Sequence, residues 1–204
     1  MMRRPSGAGD KQMKVSRYCL LAAAMGLVAS TAALASLPGD LPGHAPDQPT
    51  AVRPGFTPLT EEVRRGTARF KDINVALSEG FVRGTPCVSG PDHGAMGVHL
   101  VQPNRISHLV LRADEPEALI YEPLRDGSFR LVGVEFILLA DPWNTQHKGT
   151  PPDLEGNLFN LVGSPNRYGL PSFYELHVWA WQNNPSGTFA DWNNQVSCDN
   201  SHGD

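Results

Sequence analysis

The sequence predicts an α+β domain in which an N-terminal helix packs on a twisted antiparallel sheet, curled towards a half-barrel. Three observations carry that expectation. Apolar residues recur at helical spacing between Thr60 and Phe81. Two β-rich runs, Glu117 to Leu124 and Phe129 to Leu139, flank an Asp-Gly turn signal. A third run, Tyr174 to Trp181, alternates as a strand does and sets Glu175, His177, Trp179 and Trp181 on one face.

Residues 1–35 read as a secretory signal. Lys14 and Arg17 give a basic start, Leu20 to Val28 an apolar core, and Ala33-Leu34-Ala35 a small-x-small cleavage signature. The mature chain is expected to begin at Ser36, with Met13 an alternative start of translation. The apolar core is short for a membrane span, which needs about 20 residues. No later run is long enough, so no span is expected after cleavage. Arg3-Arg4 is followed by polar residues far from the core, unlike a twin-arginine signal. Cys19 precedes the core, where a lipoprotein cysteine would follow it.

Residues 36–57 read as a disordered linker. Pro-Gly recurs at 38–39, 42–43 and 54–55, and few apolar side chains are present to bury. Residues 58–204 are then one globular domain, long enough for its own core.

Of 17 basic and 21 acidic residues, five and one lie before Ser36, leaving 12 and 20 and a net charge of −8. A nucleic-acid partner, or an anionic membrane, would select a basic patch, which is absent. Of three cysteines, Cys87 and Cys198 remain after cleavage. In an exported chain they most simply form one disulfide, with a metal-ligand pair or two free thiols as the other readings. The compartment expected is periplasmic or secreted, and the oligomeric state a monomer.

Along the domain, Thr60 is a helix N-cap and Val63, Phe70, Ile73, Leu77 and Phe81 form the apolar stripe, with Gly80 as the stop. Met96 to Val101 reads as a strand holding His99, and Ser107 to Arg112 as another holding His108. A two-residue Asp126-Gly127 turn would place Tyr121 opposite Val132 and Leu119 opposite Val134. Ile120, Leu131, Glu135 and Ile137 would then share the opposite face. Asp141 to Pro171 reads as a long loop, and Asn183 to Gly187 as a turn. Phe189 and Trp192 would anchor the tail.

Three polar residues interrupt apolar strands: His99, Glu135 and His177. Two imidazoles and a carboxylate form a known ligand set for zinc or another divalent metal, because each offers a lone pair to the cation. The competing reading is a hydrogen-bonded network that satisfies buried polar groups. Ser89 lacks a nucleophile elbow, and no phosphate loop or dinucleotide fingerprint is present, so no reaction is assigned. Asp92-His93-Gly94 could offer an acid and a base, and reads equally as a turn. His44, His108, His147 and His202 read as solvated.

Met96-Gly-Val-His99, Glu117-Ala-Leu-Ile-Tyr121, Leu131-Val-Gly-Val-Glu135 and Tyr174-Glu-Leu-His177-Val-Trp179, with Trp192-Asn193 and Cys198, resemble segments of a group of uncharacterised exported bacterial proteins. The resemblance covers roughly residues 60–198. It implies an exported, single-domain protein and assigns no chemistry.

Three functional expectations follow. The first is an extracytoplasmic, non-catalytic binding module for a small molecule or a protein. The second is a divalent-metal protein or metalloenzyme using His99, Glu135 and His177. The third is an apolar ligand pocket lined by Phe136, Trp179 and Trp181 beneath the 141–171 loop.

Overall fold

A computed structural model describes residues 57–201. The signal segment 1–35, the linker up to residue 56, His44 and His202 lie outside the described residues.

The helical stripe folds as two helices. Thr57, one turn earlier than expected, caps α1 (Pro58–Thr67): its Oγ1 accepts from Thr60 N–H, and Thr60 Oγ1 accepts from Thr57 N–H at 2.9 Å. A 3-10 turn, Ala68–Lys71, then gives way at Asp72, whose extended backbone and side chain cap α2 (Ile73–Ser78). An Asp that bonds nearby backbone amides favours a cap over a helix interior. The break redirects the stripe. Val63, Phe70, Ala76 and Phe81 are buried, whereas Leu77 is 49% exposed.

Short strands β1 (Val82–Arg83) and β2 (Val88–Gly90) precede β3 (Gly94–Val101). The strand expected at Ser107–Arg112 does not form. Pro103 instead opens a short helix, α3 (Pro103–Ile106), and an irregular stretch leads to β4 (Ala118–Pro123). After β5 (Phe129–Leu139), the region expected as loop holds α4 (Ala140–His147), a hairpin of β6 (Asp153–Leu154) and β7 (Asn157–Leu158), and β8 (Asn160–Val162). Strand β9 (Phe173–Val178) follows. Seven strands make one open antiparallel sheet in the order β1-β3-β4-β5-β9-β8, with β2 also on β3. The α+β class therefore holds.

The β4–β5 hairpin carries two departures that cancel. Leu124 N–H donates to Ser128 O, and Gly127 N–H to Leu124 O, so the loop has three residues with Gly127 at φ 82°. Tyr121 consequently pairs with Leu131, not Val132. A bulge between Ile120 and Tyr121 absorbs Val132 and restores Leu119 opposite Val134. Leu131 thereby joins the helix-side core, while Glu135 keeps its expected face.

Both faces of the sheet are covered. On one, Leu59, Val63 and Phe70 pack with Leu119, Tyr121, Phe136 and Leu176. On the other lie two smaller apolar clusters, one around Ile120 and Trp179 and one around Ile137 and Phe173. Cys87 and Cys198 are disulfide-bonded, with Sγ atoms 2.05 Å apart, and this ties the tail to the start of β2. Asn193 adds a bridge to Ala95. Among the described residues no helix is long and apolar enough to cross a membrane.

Candidate metal centre

The polar cluster lies between the two apolar clusters of the face opposite the helices. Along β9, alternation sets Phe173, Glu175, His177 and Trp179 on that face in order. Along β5, Ile137 and Glu135 follow the same sequence from apolar to polar. On β3, His99 sits between Val101 and Gly97. Register fixes the match: Glu135 pairs with Ala118 and His177, and His99 with Ile120. Ala118 beside Glu135 and side-chain-free Gly133 leave space for larger neighbours. Gly97, at φ 91°, lets β3 pass so close to β4 that a Cβ there would lie 2.6 Å from Tyr121 O.

The three expected residues do converge. His99 and Glu135 are 0% exposed and His177 1%. One ligand atom from each lies within 4.8 Å of the others. His99 Nε2 is 3.4 Å from Glu135 Oε2, and the two imidazoles stand edge to face with centroids 5.8 Å apart. The strands thus bring together residues separated by up to 78 positions in the chain.

Hydrogen bonding leaves the cluster short of partners. His99 Nδ1 is 3.3 Å from Thr85 Oγ1, and the neighbouring Gly97 backbone acts to hold the ring's pKa up. His99 Nε2 has no hydrogen-bond partner, although Glu135 Oε2 lies 3.4 Å away. Tyr168 O–H donates to Glu135 Oε2 at 2.6 Å, but Glu135 Oε1 is unpartnered, as are both ring nitrogens of His177. Each unsatisfied buried polar atom costs about 1–3 kcal/mol.

Burial sets the electrostatics. It drives the His99 pKa well below the usual imidazole range, helped by His177 and Arg167. It pushes His177 down to about 3, with Arg167 adding to the effect. It raises Glu135 well above the ordinary carboxylate range, and the adjacent Glu175 carboxyl raises it further. Glu175 and Asp191 are also raised, chiefly by burial. Burial thus works against the charged form of every member of the cluster. A divalent cation opposes that effect on the carboxyls.

Sequence reasoning missed Tyr168 and Asp191, which come from irregular segments without periodicity. Tyr168 is carried by the loop between β8 and β9; Asp191 by the disulfide-tied tail, with Oδ1 3.8 Å from His177 Nδ1. Glu175 was visible two residues before His177, and it joins His177 and Asp191 as a second ligand-capable group. A pocket of about 140 Å³ opens over Glu175, Asp191, Tyr168 and Arg167.

Other sequence candidates lie apart. Phe136 and Trp181 belong to the helix-side core and Trp179 to the opposite face, so they do not line one cavity. Alternation stops at Val178, where the chain turns and both Trp181 and Gln182 donate to Val132 O. Trp181 Nε1 donates to Thr67 Oγ1 at 3.1 Å. His93 and His108 are exposed, and His147 is half-buried, stacked on Trp143 at 3.7 Å. Comparison with protein-family models, curated proteins and solved structures finds no match.

Proposed function

We propose that this domain is an extracytoplasmic binding module for a divalent cation, held by His99, Glu135 and His177. The observation that carries the reading is the set of four buried, unpartnered atoms: His99 Nε2, Glu135 Oε1, and His177 Nδ1 and Nε2. A purely structural network would satisfy its members with one another. A cation would engage one atom from each of the three residues. Zinc suits the donor set, and three protein ligands leave its fourth position open; ferrous iron takes the same residue types. Thr85 would hold the His99 ring from behind, as an outer partner of a ligating imidazole does. The Cys87–Cys198 bond is compatible with an oxidising compartment.

The test is elemental analysis of protein purified without an affinity tag and incubated with zinc. About one metal per chain is expected, falling below about 0.1 in Glu135→Gln and His177→Ala. Glu135→Gln keeps the side-chain volume, so a retained near-ultraviolet dichroism spectrum would separate lost binding from lost folding. Unsubstituted protein that stays below about 0.1 metal per chain would overturn the proposal.

A further inference from the structure

Resting on that reading, we infer that Glu175, His177 and Asp191 form an outer cation position through which the ion enters and leaves the buried one. The inner ligands have no surface of their own: His99 and Glu135 are 0% exposed and His177 1%. A hydrated cation therefore needs a place to exchange water for protein oxygen before it reaches them. The pocket of about 140 Å³ supplies that place, since Glu175 and Asp191 line its wall. One ligand atom from each of Glu175, His177 and Asp191 lies within 4.8 Å of the others.

An independent observation points to a ligand there. His177 Nδ1 is fully buried, has no hydrogen-bond partner, and lies 3.8 Å from Asp191 Oδ1. That is too long for a hydrogen bond and leaves the nitrogen facing the acidic group. Asp191 is the accessible member, with its side chain 39% exposed, and Glu175 is buried at 7%. Exposure thus falls stepwise from Asp191 through Glu175 to the inner set. His177 belongs to both sets, and a neutral imidazole carries one lone pair, so the positions are filled one at a time and the stoichiometry remains one. The ion moves inward by exchanging the Asp191 and Glu175 oxygens for Glu135 and His99.

A residue that acts only on the way in speeds entry and exit alike. Stopped-flow mixing of the metal-free protein with Zn²⁺, and of the loaded protein with excess chelator, measures both rates. In Asp191→Asn the entry rate is expected to fall about tenfold, the order expected for losing one steering carboxylate, with exit slowed as well. Glu175→Gln, buried and closer to the inner set, is expected to behave in the same direction. An unchanged entry rate, or an exit rate that rises while entry holds, would overturn the entry position and make Asp191 either a bystander or a resident ligand. Failure of the unsubstituted protein to take up Zn²⁺ would instead remove the inner site.

Discussion

Glu135 and His177 are direct cross-strand partners on β5 and β9, both buried on the same face of the sheet, yet no hydrogen bond joins them. Carboxylate and imidazole usually satisfy each other when buried side by side. Here the carboxylate takes its bond from Tyr168, and both imidazole nitrogens go without. Glu135 Oε1 and both His177 nitrogens are thus left without a partner in the protein.

Cation binding should stabilise the fold. At a zinc concentration near 100 times Kd, mass action adds about 2.7 kcal/mol. For a domain of this size that raises the melting temperature by roughly 5–10 °C. Glu135→Gln should lose the zinc response while its metal-free melting temperature holds or rises, because the buried acid is replaced by a neutral group. An equal zinc shift in both proteins, measured by calorimetry, would count against Glu135 as a ligand.

Glu117 should make stability fall as pH rises. It is 1% exposed, and burial raises its pKa from 4.5 to about 8, opposed by the Ile137 N–H it accepts at 3.0 Å. The unfolded chain ionises it near pH 4.5, while the folded protein holds the proton towards pH 8. The stability it supports is therefore complete below about pH 4.5 and is lost through pH 8. Between pH 5 and 8 the loss is on the order of 3–4 kcal/mol. Glu117→Gln should remove that part of the slope in denaturant unfolding at the two pH values. Parallel slopes for the two proteins would contradict it.

Replacing Cys87 and Cys198 together by serine should cost about 2–4 kcal/mol, since the bond closes a loop spanning 111 positions. It also frees the tail that carries Asp191, so zinc entry should slow in the same variant. Denaturant midpoints under non-reducing conditions measure the first effect. A loss below about 0.5 kcal/mol would show that the tail is held by other contacts.

Two glycines with similar backbone angles should respond differently to alanine. Gly97 (φ 91°) faces Tyr121 O at 2.6 Å from an added Cβ, whereas Gly127 (φ 82°) has nothing within 4 Å. Gly127→Ala should cost about 1 kcal/mol from backbone strain alone, and Gly97→Ala at least 2–3 kcal/mol because main chain must move as well. Equal costs would mean that β3 and β4 can separate beside His99 without penalty.

Much of this frame was legible in the sequence because it rests on periodicity. The β-rich run Phe129 to Leu139 and the alternation in Tyr174 to Val178 identify two central strands and put Glu135 and His177 on faces that can meet. The Val132 bulge was not legible: it answers to loop length, and a three-residue turn reads like a two-residue one around Asp126-Gly127. The single long helix failed at Asp72, whose capping bond competes locally with an apolar stripe that would otherwise run through it. Trp181 was misplaced because alternation was carried past the end of β9. Tyr168 and Asp191 had no pattern to betray them, as loop and tail are positioned by tertiary contacts and the disulfide. Convergence of His99 with the other two depended on strand order, which no spacing rule supplies.

X-ray absorption at the zinc edge of the loaded, untagged protein reads the inner ligand set by atom type. The expected shell holds two imidazole nitrogens near 2.0–2.1 Å, with the remaining ligands oxygen and none sulfur. His99→Ala should lose one imidazole. A shell without imidazole, or a protein that retains no zinc, would contradict that ligand set.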